Sequence, residues 1–297
     1  MKILKRKTYD SNISRKYRQY LSGVCRICPD HGAQDKNNIF IKYLFEEEGN
    51  LEKYVSCSPY DFKNLIFEFE SRFPNINLTS KEWKTFYTYM IGQYEKIRYQ
   101  YLPTVLQELN WGVCPYCNRH YIFAIDSNRK VSAQFDHFYS KVSYPYLALS
   151  FYNLIPCCPD CNKAKGEKSI KINPYAEGFD NNGQIEIDSL LNCMLGKRNW
   201  NVVFNADDRC QTNIEAFALD ELYRHHKDVA YEIVCKARAN EAGYLKKIIQ
   251  VYSEMGLDAD TIHRILWGYY IGEDGLSKRP LSKLTSDILK QLGIHNL

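Results

Sequence analysis

The stretch NLIPCCPDCNKAKG, residues 153–166, combines three cysteines, two asparagines and two lysines with a short apolar run. Cys158 and Cys161 form a Cys-x2-Cys knuckle, and CPYC at residues 114–117 supplies a second knuckle upstream. A tight turn of this kind points two thiolates at one ion, and structural Zn²⁺ takes four ligands tetrahedrally. The two knuckles therefore predict one structural zinc site with these ligands: Cys114, Cys117, Cys158 and Cys161.

Cys157 stands directly before the second knuckle and is the alternative to Cys158 as a ligand. Its spacing to Cys161 does not match a knuckle, so we place Cys157 in the core. A closed shell of four cysteines leaves no position for water, which makes the predicted zinc structural rather than catalytic. The chain has 11 cysteines, and this odd number favours metal ligands and buried thiols over a disulfide framework. Three cysteines without useful spacing are expected to be buried thiols: Cys193, Cys210 and Cys235.

Polar residues that suit a second, catalytic metal lie between and beside the knuckles. Asp136 and His137 end a predicted strand, Asn153 opens the quoted stretch, and Asn162 follows the last cysteine. Hydrolysis of a phosphodiester needs an activated water and a cation that offsets the developing charge. A neutral imidazole accepts a proton near pH 7, and Mg²⁺ or Mn²⁺ prefers carboxylate and carboxamide oxygens. These residue types therefore supply a base and oxygen ligands of the kind that such a hydrolysis needs.

The Asp136-His137 pair, Asn153 and the segment from Cys158 to Lys165 resemble the HNH nucleases with a zinc-stabilised ββα-metal core. The resemblance covers roughly residues 112–170, about a fifth of the chain. It implies a treble-clef-like nuclease module embedded in a mainly helical α+β protein. It also implies a role for each residue: His137 as general base, Asn153 as brace of its loop, and Asp136 and Asn162 as ligands of the catalytic Mg²⁺ or Mn²⁺.

The chain departs from the family pattern at two places. No proline follows Asp136-His137 closely, and the third motif position holds Asn162 instead of histidine. Lysines surround the predicted site, and phosphate contacts of such residues set affinity without sequence preference. We assign phosphate binding to Lys165 first, then to Lys141 and Lys163, with Arg119 and Lys168 as further candidates.

The resemblance narrows to HNH proteins of bacterial anti-phage defence, including the Septu type, in which the nuclease has an ATPase partner. It implies DNA as the substrate, with RNA left open, and an ATPase or other defence-system subunit that contacts the helical flanks. The alternative is a catalytically idle, zinc-stabilised module that binds nucleic acid or protein. A second zinc site is a weaker expectation, because CRICPDH at residues 25–31 lacks a second knuckle. Its candidate ligands are Cys25, Cys28, His31 and Cys57.

Three segments follow from the patterns along the chain: a basic arm and helical region (1–110), the nuclease module (111–175), and short strands before a helical region (176–297). TSKEWKTFYTYMIGQYEKIRYQYL, residues 79–102, predicts a helix with a capping box at Thr79 and Glu82, and Pro103 then starts a new turn. Alternation and turn residues predict further elements: a hairpin of 121–125 with 131–135, a short helix over 161–168, strands at 184–188 and 200–205, a helix over 213–239, and amphipathic segments near 258–270 and 282–292.

Positive charge is concentrated at the N-terminus, although the whole chain carries only +4. Residues 1–20 hold one acid, Asp10, against seven basic residues: Lys2, Lys5, Arg6, Lys7, Arg15, Lys16 and Arg18. Such an arm could contact phosphates. No apolar run approaches the roughly 18 residues of a membrane span, and no apolar region follows the N-terminal charges. We therefore expect a cytoplasmic protein without a membrane partner.

Overall fold

The computed structural model describes residues 9–25, 37–47, 49–125, 130–239, 242–270 and 275–294. Two compact units form, and each is drawn from separate stretches of the chain. The first combines Lys5–Asn110 with Ile122–Ser169, and the second combines Trp111–Tyr121 with Ile170–Leu297. The sequence patterns divide the chain into three continuous segments, whereas each compact unit combines separate stretches of the chain. The units therefore do not test the three segments, which stay a prediction.

Helices dominate the first unit, and aromatic side chains fill its core. Helices α1 to α7 are Tyr9–Cys25, Ile39–Phe45, Asn50–Ser56, Phe62–Arg72, Lys81–Gln100, Leu102–Leu109 and Pro159–Lys165. The Phe69 ring stacks on Tyr146 with 3.9 Å between centroids, and Phe40 meets the Trp83 ring edge-on at 5.2 Å. Such rings bury large apolar areas, so many of the chain's aromatic residues serve to hold these helices together.

Helix α5 begins one residue later than a Thr79 cap would require. The Ser80 hydroxyl accepts a hydrogen bond from the Trp83 amide at 3.1 Å, whereas Thr79 bonds to the Asn77 side chain. The capping box at Thr79 is therefore wrong, because Ser80 takes the extended backbone of an N-cap residue. Pro103 lies in the first turn of α6, as predicted.

The strands of the first unit pair differently from the predicted hairpin. Strands β1 to β4 are Ala124–Ile125, Lys130–Val131, Gln134–His137 and Leu154–Cys157. Strand β1 pairs antiparallel with β2, but β3 pairs antiparallel with β4. The predicted hairpin is thus confirmed only beside its turn, whose residues 126–129 lie outside the described residues. Strand β4 is buried at every position, so its apolar run packs beside β3 in the core.

Helix α7 follows β4 directly, and together β3, β4 and α7 form a ββα motif. Cys158 is the N-cap of α7, and Pro159 occupies its first turn. The helix ends at Lys165, three residues before the predicted end at residue 168, because Gly166 takes φ of +52°. The predicted ββα module within a mostly helical α+β protein is confirmed.

The second unit packs short helices around a two-stranded sheet. Strand β5, Gly183–Ile187, pairs antiparallel with β6, Val202–Ala206, close to the predicted positions. Helices α8 to α14 are Leu190–Met194, Asp208–Ala216, Leu219–Arg224, Lys227–Ala239, Ala242–Glu254, Ala259–Trp267 and Ser282–Gln291. The single helix predicted over 213–239 is wrong, because Ala218 takes a left-handed conformation (φ of +51°) and ends its first turns.

Part of the basic arm lies in helix α1, where two of its cations pair with acids. Lys16 pairs with Glu108 at 2.9 Å, and Arg18 pairs with Glu52. Four basic residues of the arm lie outside the described residues: Lys2, Lys5, Arg6 and Lys7. No helix in the described part of the chain combines the length and the apolar character needed to cross a membrane.

The second zinc site expected near the N-terminus falls largely outside the described residues. Cys28 and His31 are not described, and nothing is described of the Cys25 side chain. Cys57 is buried, and its thiol donates to the Ser58 carbonyl at 3.4 Å. Burial raises the pKa of the Cys57 thiol to about 12, which keeps it protonated at neutral pH.

Candidate active site and metal centre

The four cysteines of the two knuckles form one buried cluster. The Sγ atoms of Cys114, Cys117, Cys158 and Cys161 all lie within 4.8 Å of one another. A tetrahedral zinc with Zn–S bonds of about 2.3 Å places its sulfur ligands about 3.8 Å apart. The predicted cluster is confirmed, and its geometry and its thiol donors fit structural zinc.

Backbone amides support the thiolates in both knuckles. The Arg119 amide donates to Cys117 Sγ at 3.4 Å, and the Cys161 amide donates to Cys158 Sγ at 3.5 Å. An amide N–H in this position would stabilise the negative charge of a metal-bound sulfur. Cys157 is fully buried outside the cluster, as predicted. Cys193 and Cys210 are buried as predicted, whereas Cys235 is partly exposed.

Asn118 fixes the first knuckle to the C-terminal part of the second unit. It adopts φ of +51°, and its amide donates to the Cys114 carbonyl at 2.8 Å. Its side chain donates to the Leu276 carbonyl at 2.7 Å and accepts from the Lys283 amide at 2.9 Å. The knuckle is therefore held by packing as well as by its own turn.

Asp136 and Lys165 form a buried ion pair in the ββα module. Lys165 Nζ lies 3.0 Å from Asp136 Oδ1 and donates to the His137 carbonyl at 2.6 Å. Only 1% of the Lys165 side chain and 4% of the Asp136 side chain are exposed. The phosphate contact assigned to Lys165 from the sequence does not match this geometry, because its ammonium group is turned into the module and bonded there.

We predict that Lys165→Met lowers the free energy of unfolding by about 3–5 kcal/mol, because Asp136 is left buried without its cation. Denaturant unfolding of the zinc-loaded protein measures this loss. Lys163→Met is the matched control on the exposed side of α7, and it should change stability by at most about 0.5 kcal/mol. Adding Asp136→Leu to Lys165→Met should recover most of the loss. Equal stability of the two single variants would contradict the buried pair.

His137 ends β3 with its imidazole in a dry, enclosed position. Its Nε2 lies 3.1 Å from the Ala148 carbonyl oxygen, and the Tyr94 ring packs edge-on at 4.6 Å. Burial, with a smaller contribution from the charge of Lys141, lowers the pKa of His137 to about 3. The ring is therefore neutral at pH 7. Because Nε2 faces a carbonyl oxygen, Nε2 carries the proton and Nδ1 is the basic nitrogen.

Asn153 ties together the loop that follows His137. Its Oδ1 accepts a hydrogen bond from the Tyr139 amide at 2.7 Å. Its Nδ2 donates to the Leu147 carbonyl at 2.9 Å and to the Tyr139 carbonyl at 3.2 Å. Asn153 is fully buried, so these three bonds join the start and the end of the loop and hold the Ala148 region near His137.

Asn162 lies on α7, partly exposed, and its carboxamide faces strand β3. Its Nδ2 donates to Gln134 Oε1 at 2.6 Å, which orients the Asn162 oxygen away from this bond. Asp136, Asn162 and Gln134 offer hard oxygen donors, which suit Mg²⁺ or Mn²⁺ better than a soft metal. The Lys165 ammonium already lies 3.0 Å from Asp136 Oδ1, so a divalent ion would share this carboxylate. This donor chemistry fits a divalent ion that keeps several water ligands.

Among the described residues, the four cysteines are the only group of three or more His, Cys, Asp or Glu that is close enough to hold a metal. A divalent ion at Asp136 would therefore depend on few protein ligands. The other predicted phosphate ligands differ in setting. Lys163 is exposed, Lys141 is partly exposed with its ammonium 5.0 Å from the Tyr94 ring, and Arg119 donates to His226 Nε2 at 2.8 Å.

Three contacts of this site were not visible in the sequence. Gln134, Tyr94 and the Ala148 carbonyl touch the candidate catalytic residues, although none belongs to a motif. Gln134 could have been noticed from its place two residues before Asp136, on the same face of the strand. Tyr94 lies in a distant helix, and only tertiary packing brings it to His137.

The ββα motif, the four-cysteine cluster and the Asp136-His137 pair are the features of an HNH endonuclease domain. Residues 114–168 match the family model of the HNH endonucleases, so the chain contains a domain of this family. This match spans both cysteine knuckles and every candidate catalytic residue.

Among individual proteins, the chain is similar to the Septu protein PtuB of Bacillus thuringiensis. The two sequences are 27% identical over 124 residues, which is 42% of this chain and 43% of the relative. The similarity thus spans less than half of either protein. It supports the resemblance to Septu-type defence proteins that the sequence motifs indicate. No solved structure gave a significant match to the chain.

Proposed function

We propose that this protein is a metal-dependent endonuclease that hydrolyses DNA phosphodiester bonds. The observation that carries the proposal is the neutral His137 imidazole, fixed through Nε2 and placed on the strand that also carries Asp136. A zinc module that only binds other molecules needs neither a fixed basic nitrogen nor a carboxylate buried beside it. The HNH family match is in agreement with this choice.

In the proposed reaction, His137 acts through Nδ1 as the base that takes a proton from the attacking water. The Ala148 carbonyl holds the ring in the required tautomer, and Asn153 holds the loop that carries Ala148. Lys165 keeps the end of β3 against α7 through Asp136 and the His137 carbonyl. Lys165 therefore acts as a positioning residue, and Lys141 and Lys163 remain the proposed phosphate ligands.

Asp136 and Asn162 are the proposed ligands of Mg²⁺ or Mn²⁺. When bound, such an ion offsets the charge that develops on the phosphate and on the leaving oxygen. The protein's own contribution is to present one carboxylate oxygen and one carboxamide oxygen from two elements that are already joined. Gln134 orients the carboxamide, and Lys165 fixes the carboxylate.

We further propose a role in bacterial defence with a partner subunit, such as an ATPase. This proposal rests on the similarity to the Septu protein and on the helical regions outside the HNH domain, for which the proposed reaction has no use. The competing function is a catalytically idle module that binds nucleic acid. The Lys165 ammonium on Asp136 is the observation that favours it, because a divalent ion would have to share that carboxylate.

Cleavage of plasmid DNA and of RNA in the presence of Mg²⁺ or Mn²⁺ separates the two functions. We predict that the wild type cuts DNA and that Asp136→Asn does not, because the proposed ion loses its only charged ligand. Asp160→Asn removes an exposed carboxylate from the same module and should cut normally. Zinc content and thermal unfolding show whether each variant is folded. A zinc-loaded wild type that binds DNA but never cuts it, even with its partner supplied, would leave the idle module as the function.

A further inference from the structure

Tyr94 is a buried aromatic residue that touches two groups of the proposed reaction. It lies in helix α5, outside residues 114–168, and only 3% of it is exposed. Its ring packs edge-on against His137 with 4.6 Å between centroids, and Lys141 Nζ lies 5.0 Å from the centre of the same ring. The proposed base and one proposed phosphate ligand thus share one aromatic support.

The hydroxyl of Tyr94 fixes the ring to strand β3. It donates to the Phe135 carbonyl at 3.2 Å, two residues before His137 along the strand. Burial raises the pKa of Tyr94, which keeps the hydroxyl protonated as this bond requires. Helix α5 and strand β3 belong to the same compact unit, so this contact is set within the first unit.

Lys141 rests on the Tyr94 ring without an ion-pair partner. Within the described residues, its Nζ forms neither a salt bridge nor a hydrogen bond, and the side chain is partly exposed. Glu95 acts on the charge of Lys141, but both oxygens of Glu95 accept from Arg98 Nη1, at 3.3 and 3.4 Å. An aromatic face attracts an ammonium within about 6 Å but offers it no oxygen. The N–H donors of Lys141 therefore remain available to a phosphate.

We propose that Tyr94 is a positioning residue of the nuclease, which holds the His137 base and the Lys141 phosphate ligand in one arrangement. This role rests on the proposed nuclease function, because Tyr94 acts only through these two groups and takes no part in bond breaking. A lysine loses rotamer freedom when it binds phosphate, and packing on the ring removes part of that freedom beforehand. Misplacement of a reacting group by about 1 Å can lower a rate by about 10²-fold.

Replacements of Tyr94 separate the ring from the hydroxyl. Tyr94→Leu keeps an apolar side chain in the core but loses the ring, so it should lower kcat/KM for DNA cleavage by about 10–100-fold. The kcat should fall because His137 loses its neighbour, and KM should rise because Lys141 loses its support. Tyr94→Phe restores the ring and should recover most of the rate. Initial rates over a range of DNA concentrations measure both constants.

Tyr89→Leu is the matched control for the loss of a ring from helix α5. Tyr89 is also buried, and its ring packs edge-on against Phe45 at 5.3 Å. This variant should lower the unfolding temperature to an extent comparable with Tyr94→Leu and leave kcat/KM unchanged. Circular dichroism and zinc content show whether each variant is folded. If Tyr94→Leu does not fold, Tyr94→Met takes its place, because a methionine side chain adapts to an irregular gap.

A double-variant cycle tests the link between Tyr94 and Lys141, which a purely structural role would not produce. Lys141→Gln removes the ammonium that the ring supports. Tyr94→Leu should therefore raise KM less in the Lys141→Gln background than in wild type. Lys163 is exposed on α7, so the effects of Lys163→Gln and Tyr94→Leu should add.

Three results would overturn the proposal. The first is wild-type kcat/KM for folded Tyr94→Leu, and the second is an equal loss in Tyr94→Phe and Tyr94→Leu, which would assign the effect to the hydroxyl. The third is full additivity of Tyr94→Leu and Lys141→Gln in KM.

Failure of this inference is distinguishable from failure of the proposed nuclease function. If wild type cuts DNA in a manner that depends on His137 and folded Tyr94→Leu cuts equally well, only the role of Tyr94 is lost. If zinc-loaded wild type does not cut even with its partner supplied, the nuclease function fails and the role of Tyr94 fails with it.

Discussion

His137→Ala should lower the rate of DNA cleavage by about 10²–10⁴-fold, the range that a positioned general base contributes. The imidazole is neutral because burial lowers its pKa to about 3, and the Ala148 carbonyl leaves Nδ1 as the basic nitrogen. Alanine removes this nitrogen and leaves the Asp136–Lys165 pair in place. Initial rates on plasmid DNA with saturating Mg²⁺ or Mn²⁺ measure the loss.

His225→Ala is the control for this prediction, because His225 is exposed at the end of α10. It should cut DNA at the wild-type rate. Unchanged zinc content and unfolding temperature of His137→Ala would assign its loss to chemistry rather than to misfolding. Cleavage by folded His137→Ala at the wild-type rate would refute the assignment of His137 as the base.

Cys158→Ser should release the zinc ion and unfold the ββα module. Structural zinc binding is coupled to folding, with apparent free energies of about 10–16 kcal/mol in small zinc-binding domains. Cys158 has two functions, because its sulfur also accepts the Cys161 amide as the N-cap of α7. Metal analysis should find about one zinc per chain in the wild type and much less in the variant.

Cys157→Ala is the matched control, because Cys157 is the adjacent buried cysteine and lies outside the cluster. It should keep its zinc and unfold cooperatively, with only the modest loss expected for a smaller side chain in the core. Loss of zinc from Cys157→Ala together with full retention by Cys158→Ser would mean that Cys157 is the ligand. Full retention by both variants would refute the site.

Much of the metal centre could be predicted because its geometry is local. A Cys-x2-Cys turn brings two thiols together through a few backbone angles, so spacing alone indicates a ligand pair. The strands β5 and β6 were predictable for a similar reason, since alternation of apolar side chains is a local property. The pairing of β3 with β4 could not be predicted in this way, because it depends on which strand completes the core. Strand β4 is separated from β3 by a loop that Asn153 holds closed.

The sequence by itself determined that this protein carries two cysteine knuckles around an Asp-His pair, and hence a domain with the HNH pattern and four thiols that suit zinc. Only the tertiary structure decided that Lys165 is buried on Asp136 and that the His137 ring is held by the Ala148 carbonyl. The physical reason is the distance along the chain over which each property is set. Ligand spacing is set within a turn, whereas the solvation and the partners of a charged side chain depend on residues far away in the chain.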